Sequence, residues 1–174
     1  DHAAREWHLL WFGGMVDKQN GNLDEAIEKF KQVREGGFAQ AQGRGFDFSK
    51  DYNFLNEFGS TVYQRARGER GEARAVQRET LLREAAGIFE DVLVLDPENT
   101  TAHYNLQQIH LELGEDEQAM EHADLHRTYK IDDNARDRAV SEARRRYPAA
   151  NHAAEDVVIY DLQRPEAAGV HEVA

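Results

Sequence analysis

Apolar residues recur at helical spacing along most of the chain, and the clearest example lies between Asp96 and Ala123. The run AHYNLQQIHLEL has apolar side chains three and four positions apart, Gly114 interrupts it, and a second helical run follows. This pattern predicts two helices joined by a glycine turn. One helix pair cannot bury its own apolar face, so the pattern also predicts neighbouring pairs.

A small residue recurs at the same place in three predicted second helices, at Ala26, Ala85 and Ala119. Ala85 and Ala119 are 34 residues apart, and Phe30 and Phe89 follow the first two alanines by four residues. A small side chain lets two helices approach closely, and a residue four positions on lies on the same helix face. The recurrence therefore predicts a stack of similar helix pairs.

Each second helix has a predicted partner before it, marked by a residue in an aromatic or apolar setting. Gly14 and Gln107 precede their alanines by twelve residues, whereas Gly59 precedes Ala85 by 26. The middle pair therefore has fourteen extra residues, in the charged stretch near 66–79. This insertion either lengthens the two helices or forms a basic loop at one edge of the stack.

The helix ends are predicted from capping residues. Asn22 is a predicted N-cap, and Glu25 three residues later completes a capping box. Pro97 is predicted to end the helix that contains Ala85.

The fold is predicted to be all-α, because strand-like alternation is nearly absent before the last twenty residues. The predicted elements are helix pairs near 3–35, 50–95 and 99–130, a capping helix near 134–146, and a non-repeat tail at 148–174. The helical elements together form one repeat array over 1–147. The β-favouring run VVIYDL in the tail is expected to lie extended, against the last helices or in the groove of a neighbouring molecule. This second placement would give self-association.

These features resemble the tetratricopeptide repeat, most clearly in AHYNLQQIHLELGEDEQAMEHA and GGMVDKQNGNLDEAIEKFKQV. The resemblance implies antiparallel helix pairs in a right-handed superhelix, whose concave face is lined by the first helix of each pair and binds a peptide or protein. The groove residues that it implies are Trp11, Met15, Asn56, Ser60, Tyr104, Asn105 and Gln108. The family's clamp for C-terminal carboxylates needs several Lys, Arg and Asn residues, and only the asparagines fit here.

A second, narrower resemblance is to the repeat region of bacterial multihaem c-type cytochromes, through RGFDFSKDYNFLNEFGSTVYQRAR, DDNARDRAVSEARRRYP and NHAAEDVVIYDLQRP. Those proteins hold haem with Cys-x-x-Cys-His motifs, and this chain has no cysteine. The resemblance thus implies no cofactor in this chain, with haem only in a missing parent domain. It also implies a periplasmic or otherwise exported protein, although a cysteine-free chain is equally compatible with the cytoplasm.

Negative charge is concentrated in one part of the sequence. The net charge is −12, and the window from Glu84 to His126 contains eleven acids and no lysine or arginine. Such a field repels nucleic acid and steers a basic partner, unless the acids only solvate helix surfaces. The acidic docking patch predicted here consists of Glu112, Glu115, Asp116 and Glu117. No apolar run reaches the roughly 20 residues that a membrane span needs.

Few residues suggest catalysis or metal binding. His103 and His110 lie seven apart on one predicted helix, and His122 and His126 lie four apart on the next. A pair four apart can chelate a metal, but no acidic residue is placed to complete the site, so these histidines are interpreted as packing residues. Nucleophile, phosphate-loop and HExxH motifs are absent from the sequence.

The sequence therefore predicts a non-catalytic interaction module that binds a peptide or protein on its concave face. The alternative is an accessory domain of a multihaem electron-transfer assembly, which would dock a basic redox partner through its acidic patch.

Overall fold

The computed structural model describes residues 6–43, 47–131 and 133–146, and every regular element within these ranges is helical. The α-helices are α1 (Glu6–Asn20), α2 (Leu23–Glu35), α3 (Ala39–Gln42), α4 (Tyr52–Gly68), α5 (Ala75–Leu95), α6 (Thr100–Leu113), α7 (Asp116–Tyr129) and α8 (Asp133–Arg146). The all-α prediction is confirmed for these ranges. The predicted tail at 148–174 and the first residues of the first pair lie outside them.

The chain divides into two compact units, Asp1–Lys130 and Ile131–Ala174. The first contains α1 to α7. The second contains α8, at the position predicted for the capping helix. No helix in the described part of the chain is both long and apolar enough to cross a membrane.

Helices of the first unit pack as successive antiparallel hairpins, α1 with α2, α4 with α5, and α6 with α7. In the first hairpin Gly14 faces the Phe30 ring, and Lys29 forms an ion pair with Asp17 near the turn. The turn itself is short, with Gly21 at a φ of 83°. Glycine adopts this left-handed conformation without the steric cost that a side chain brings.

Neighbouring hairpins also contact each other, because α2 packs against α4 and α5 packs against α6. Two ion pairs give the relative direction of α2 and α5: Lys31 Nζ lies 2.9 Å from Glu84 Oε1, and Arg34 Nη2 lies 2.5 Å from Asp91 Oδ2. From the first ion pair to the second, the residue number increases in both helices, so these two second helices run parallel. Equivalent helices of the first two hairpins therefore repeat in orientation.

The helix ends follow local sequence in most places. Asp51 Oδ1 accepts hydrogen bonds from two backbone N–H groups at the start of α4, and Asn99 does the same for one at the start of α6. Gly114 ends α6 with a φ of 74°. The capping box predicted at Asn22 and Glu25 was wrong, because the Asn22 side chain makes no capping hydrogen bond.

The core of the first unit is built from the alanines and phenylalanines that define the repeat. Ala26, Ala85 and Ala119 are all buried, as are Phe30 and Phe89. Aromatic rings from the first hairpin, from α4 and from the short segment that precedes α4 extend this core, and their contacts join Trp11, Phe30, Phe48, Phe54 and Phe58. Burial of these large side chains is the main favourable contribution to the free energy of folding.

The insertion of the middle hairpin lengthens its two helices, which was one of the two predicted outcomes. α4 has 17 residues and α5 has 21, compared with 14 each for α6 and α7. Glu69 in the connection is only 3% exposed and forms ion pairs with Arg65 and Arg74. The Arg65 hydrogen bond lowers the pKa of Glu69, so this buried carboxylate stays ionised and ties the connection to α4.

We predict that Gly14→Ala lowers the free energy of unfolding by about 1–2 kcal/mol, despite the better helix propensity of alanine. A Cβ at this position would lie 2.5 Å from Phe30 Cε1, and Phe30 is fully buried. Gly87→Ala in α5 is the matched control, because its Cβ would meet nothing within 4 Å. It should raise stability by about 0.5–1 kcal/mol. Urea unfolding followed by circular dichroism measures both, and a Gly14→Ala protein as stable as the wild type would contradict the packing.

Candidate functional site

A cleft of about 690 Å³ lies between α4 and α6. Its lining residues are Ser60, Tyr63, Gln64, Arg67, Gly68, Arg70, Tyr104, Asn105, Gln108 and Glu112. This cleft, called the α4/α6 cleft below, is an open concave surface that the first helices of two successive hairpins form together.

Two contacts show why the α4/α6 cleft has a regular shape. Asn56 Nδ2 donates to Asn99 Oδ1 at 3.1 Å near the starts of the two helices, and Tyr63 Oη donates to Glu112 Oε1 at 2.8 Å further along. From the first contact to the second, the residue number increases in both helices, so α4 and α6 run parallel. Since α5 packs against both of them, it fixes their separation.

Four of the predicted groove residues line this cleft together: Ser60, Tyr104, Asn105 and Gln108. The other three have different positions. Asn56 lies partly buried and supports the Asn99 cap through the hydrogen bond described above. Trp11 and Met15 are partly buried against the hydrophobic core of the first unit and do not line the α4/α6 cleft.

Sequence reasoning missed the half of the cleft that α4 contributes beyond Ser60, namely Tyr63, Gln64, Arg67 and Gly68, and also Arg70 in the following connection. The helical period was the signal that could have found most of them. Positions three, four and seven after Ser60 lie on the same helix face. The insertion is predicted near 66–79, whereas the groove-lining face continues along α4 as far as Arg67 and Gly68.

Glu112 lies in the cleft, although it was predicted on an acidic docking patch. Its Oε1 accepts from the Tyr63 hydroxyl, and its Oε2 accepts from Arg78 Nη2 at 2.8 Å. Burial and the Glu112 carboxylate raise the pKa of Tyr63 far above its ordinary value, so this hydroxyl remains a hydrogen-bond donor.

The rest of the acidic patch is divided between paired and free carboxylates. Glu115 forms an ion pair with Arg83 at 3.1 Å, and its Oε2 lies 2.7 Å from His110 Nδ1. These two partners, His110 first, lower the pKa of Glu115. Asp116 and Glu117 are exposed and have no ion-pair partner among the described residues.

Lysine and arginine residues from outside the acidic window neutralise part of its charge. The paired acids are Glu84, Asp91, Glu112, Glu115 and Asp124. The field at the surface is therefore weaker than the eleven acids of the window suggest.

Four histidines, which we call the histidine cluster, lie between α6 and α7: His103, His110, His122 and His126. His103 Nε2 lies 3.0 Å from the Pro97 carbonyl oxygen, and His103 Nδ1 lies 3.0 Å from His122 Nδ1. A carbonyl oxygen only accepts, so these partners assign the proton of neutral His103 to Nε2, and His122 Nδ1 is then the donor to His103 Nδ1.

The other two histidines pack beside this pair. The His110 ring stacks on the His122 ring with a centroid separation of 5.5 Å and an interplanar angle of 4°. His126 packs edge-on against Tyr104, and its buried Nε2 has no hydrogen-bond partner in the part of the chain that the structure describes. The histidines thus fill the interface that phenylalanines fill in the first two hairpins.

Burial lowers the pKa of His122, and the neighbouring His103 and His110 lower it further, whereas Glu121 opposes the shift. Burial also lowers the pKa of His126, with smaller contributions from Lys130 and His103. No group of three or more His, Asp or Glu side chains within the described residues is arranged to hold a metal ion.

No family model matches this sequence, and no curated protein is significantly similar to it. The tetratricopeptide resemblance is neither supported nor opposed by these comparisons, and it stays a prediction. The function proposed below rests on the α4/α6 cleft and on its charges.

We predict that the protein loses stability as the pH falls from 7.5 to 5.5. The folded state lowers the pKa of His122 and His126 below their ordinary value of 6.5, so the unfolded chain binds more protons in this range. The stabilisation by neutral histidines is complete above about pH 6.5 and is lost below it. The Glu115 ion pair contributes no slope here, because its ordinary pKa is 4.5 and is lowered further.

Thermal unfolding at both pH values measures this dependence. His122→Gln should make the change in melting temperature smaller, whereas His8→Gln, at an exposed histidine of α1, should leave it unchanged. An equal pH dependence in the wild type and in the His122→Gln protein would show that the histidine cluster is not its source.

Proposed function

We propose that this chain is a non-catalytic protein–protein interaction module, which binds an extended peptide or protein segment in the α4/α6 cleft. The observation that carries this proposal is the parallel arrangement of α4 and α6, which directs polar and aromatic side chains from both helices into one open cleft. Tyrosine rings provide contact area at low entropic cost, and amide side chains match the donors and acceptors of a peptide backbone.

We further propose that the first unit is a tetratricopeptide-like right-handed superhelix. Three features support this architecture: antiparallel hairpins in succession, parallel first helices, and buried alanines at 26, 85 and 119. In such an array the first helices line the concave face, and the α4/α6 cleft would be one section of it.

The cleft favours binding over catalysis. Ser60 is the one hydroxyl of an aliphatic side chain among its lining residues, and no histidine lines it. The carboxylate of Glu112 is engaged by Tyr63 and Arg78, so no free base lies beside Ser60 in the described cleft. These groups can orient a ligand through hydrogen bonds but have no arrangement for proton abstraction.

We predict that Gln108→Trp blocks the cleft and weakens peptide binding by about tenfold or more, because the indole occupies the space that the peptide needs. The peptides would come from a random phage-displayed library selected on the full chain, and fluorescence polarisation would measure their affinities. Gln118→Trp, at an exposed position of α7, is the matched control and should leave the affinity unchanged. Equal weakening in both variants, or none in either, would place the binding surface elsewhere.

A second candidate function is docking of a basic redox protein, as an accessory of a multihaem electron-transfer assembly. The exposed and unpaired carboxylates of Asp116 and Glu117 favour it. Screening weakens a field of exposed charges beyond about 10 Å at 0.1 M salt, so such docking would appear mainly in the association rate.

This second function predicts that Asp116→Lys with Glu117→Lys slows association with a basic c-type cytochrome at low salt. Glu28→Lys with Glu35→Lys, at exposed positions of α2, removes the same charge elsewhere and is the control. Stopped-flow kinetics across a salt series measures the rates. An association rate that does not depend on salt would exclude steering by the patch.

A further inference from the structure

Within the residues of the first unit that the structure describes, three cations have no ion-pair partner, and two of them line the α4/α6 cleft. Every other lysine or arginine within 6–43 and 47–131 is paired with a carboxylate. The exceptions are Arg67, Arg70 and Lys130, and only the two arginines belong to the cleft. In a chain with 33 acidic and 21 basic residues, carboxylates are abundant, yet the fold brings none to these arginines.

The contacts of Arg67 leave its hydrogen-bonding groups available. Its guanidinium carbon lies 5.9 Å from the centroid of the Tyr63 ring, a cation–π distance. The Tyr63 hydroxyl is in turn held by Glu112. No hydrogen bond or ion pair engages the Arg67 guanidinium among the described residues, so its planar set of N–H donors can bind a carboxylate with two parallel hydrogen bonds.

Glu112 does not cancel the positive charge of the cleft. Both of its oxygens are occupied, one by Tyr63 and one by Arg78, and the Arg78 charge balances it. The remaining charges among the lining residues are those of Arg67 and Arg70, near the end of α4. This end of the cleft is therefore positive in an otherwise acidic protein.

The lining also distinguishes between classes of acidic ligand. Gln64, Asn105 and Gln108 present amide groups along the cleft, next to the tyrosines. Amides pair with the N–H and C=O groups of an extended peptide. Nucleic acid would bring many phosphates against a chain with a net charge of −12, and two arginines are few to offset that repulsion.

We propose that the α4/α6 cleft selects an acidic peptide segment, and that Arg67 and Arg70 together bind one of its carboxylates. This inference rests on the proposed function and gives its ligand class. The carboxylate comes from an aspartate or glutamate side chain or from the C-terminus of the partner. In both cases the ligand carries negative charge, whereas the acidic window alone predicts a basic partner.

The test uses octapeptides selected on the full chain and synthesised with a fluorescein label. We expect the selected sequences to be enriched in aspartate and glutamate, and replacement of these residues by their amides to weaken binding about tenfold or more. A C-terminal amide, compared with the free acid, shows which of the two sources supplies the carboxylate. Binding of the acidic and amidated peptides with equal affinity would overturn the inference.

Protein variants provide the second arm. Arg67→Gln and Arg70→Gln should each weaken binding of the acidic peptides and leave the amide versions unaffected. Lys130→Gln is the matched control, since it removes the unpaired cation that lies outside the cleft in the described part of the first unit, and it should change neither affinity. Loss of affinity with Lys130→Gln equal to that with Arg67→Gln would show a general effect of net charge and would also overturn the inference.

The outcomes separate this inference from the proposed function. Peptides that lose affinity with Gln108→Trp but not with the arginine variants would support the cleft and refute the carboxylate site. Peptides insensitive to Gln108→Trp would refute both. A labelled single-stranded RNA dodecamer that competes with the peptides and depends on Arg67 would identify nucleic acid as the ligand and overturn the choice of a peptide.

Discussion

Close contact between a glycine and a phenylalanine ring sets the geometry of the first two hairpins. Gly14 lies against Phe30, and Gly59 lies against Phe89 with the ring 3.0 Å from the place of a Cβ. This contact fixes the separation and the register of each helix pair, because a buried ring has little freedom to move. The register then determines which faces of α2 and α5 meet the next hairpin. The α4/α6 cleft is a consequence of this repeated packing, since α5 supports both of its walls.

In the third hairpin, histidine rings fill the space between the two helices that phenylalanine rings fill in the first two hairpins. Ala119 is the sole residue of α7 that is fully buried, and the histidine cluster provides much of the remaining contact with α6. Imidazole rings pack well while they are neutral, but each carries polar atoms that need partners. The His103–His122 hydrogen bond and the His103 contact with Pro97 satisfy some of these atoms. The wall of the cleft that α6 forms therefore depends on an interface whose stability varies with protonation.

Ion pairs between helices decide how the acidic sequence is presented at the surface. Lys31 and Arg34 of α2 and Arg78 and Arg83 of α5 pair with acids that are distant in sequence. Pairs at the surface contribute little to stability, but they remove charges from the field that a partner meets. Their arrangement leaves Arg67 and Arg70 unpaired in the cleft, so its charge differs in sign from the average of the chain.

Local sequence was sufficient to predict the helices, the recurrence of small residues and the Gly114 turn. Each of these depends on residues a few positions apart, and helical periodicity reports such neighbours directly. Tyr104, Asn105 and Gln108 on the α6 side of the cleft, in contrast, were expected only from the resemblance to a repeat family. The tertiary structure alone decided the position of Glu112 in the cleft, the burial of Glu69 and the pairing of the acidic window. These features depend on side chains from different helices, separated by 34 residues in the case of Arg78 and Glu112.

The prediction of an Asn22 cap was wrong for a related reason. Backbone hydrogen bonds from Gly21 and Asn22 to α1 close that turn, and the Asn22 side chain has no role in it. The sequence pattern predicts the contacts that a residue can make with its neighbours along the chain. The packing of the helices determines which side chain from another helix becomes its partner.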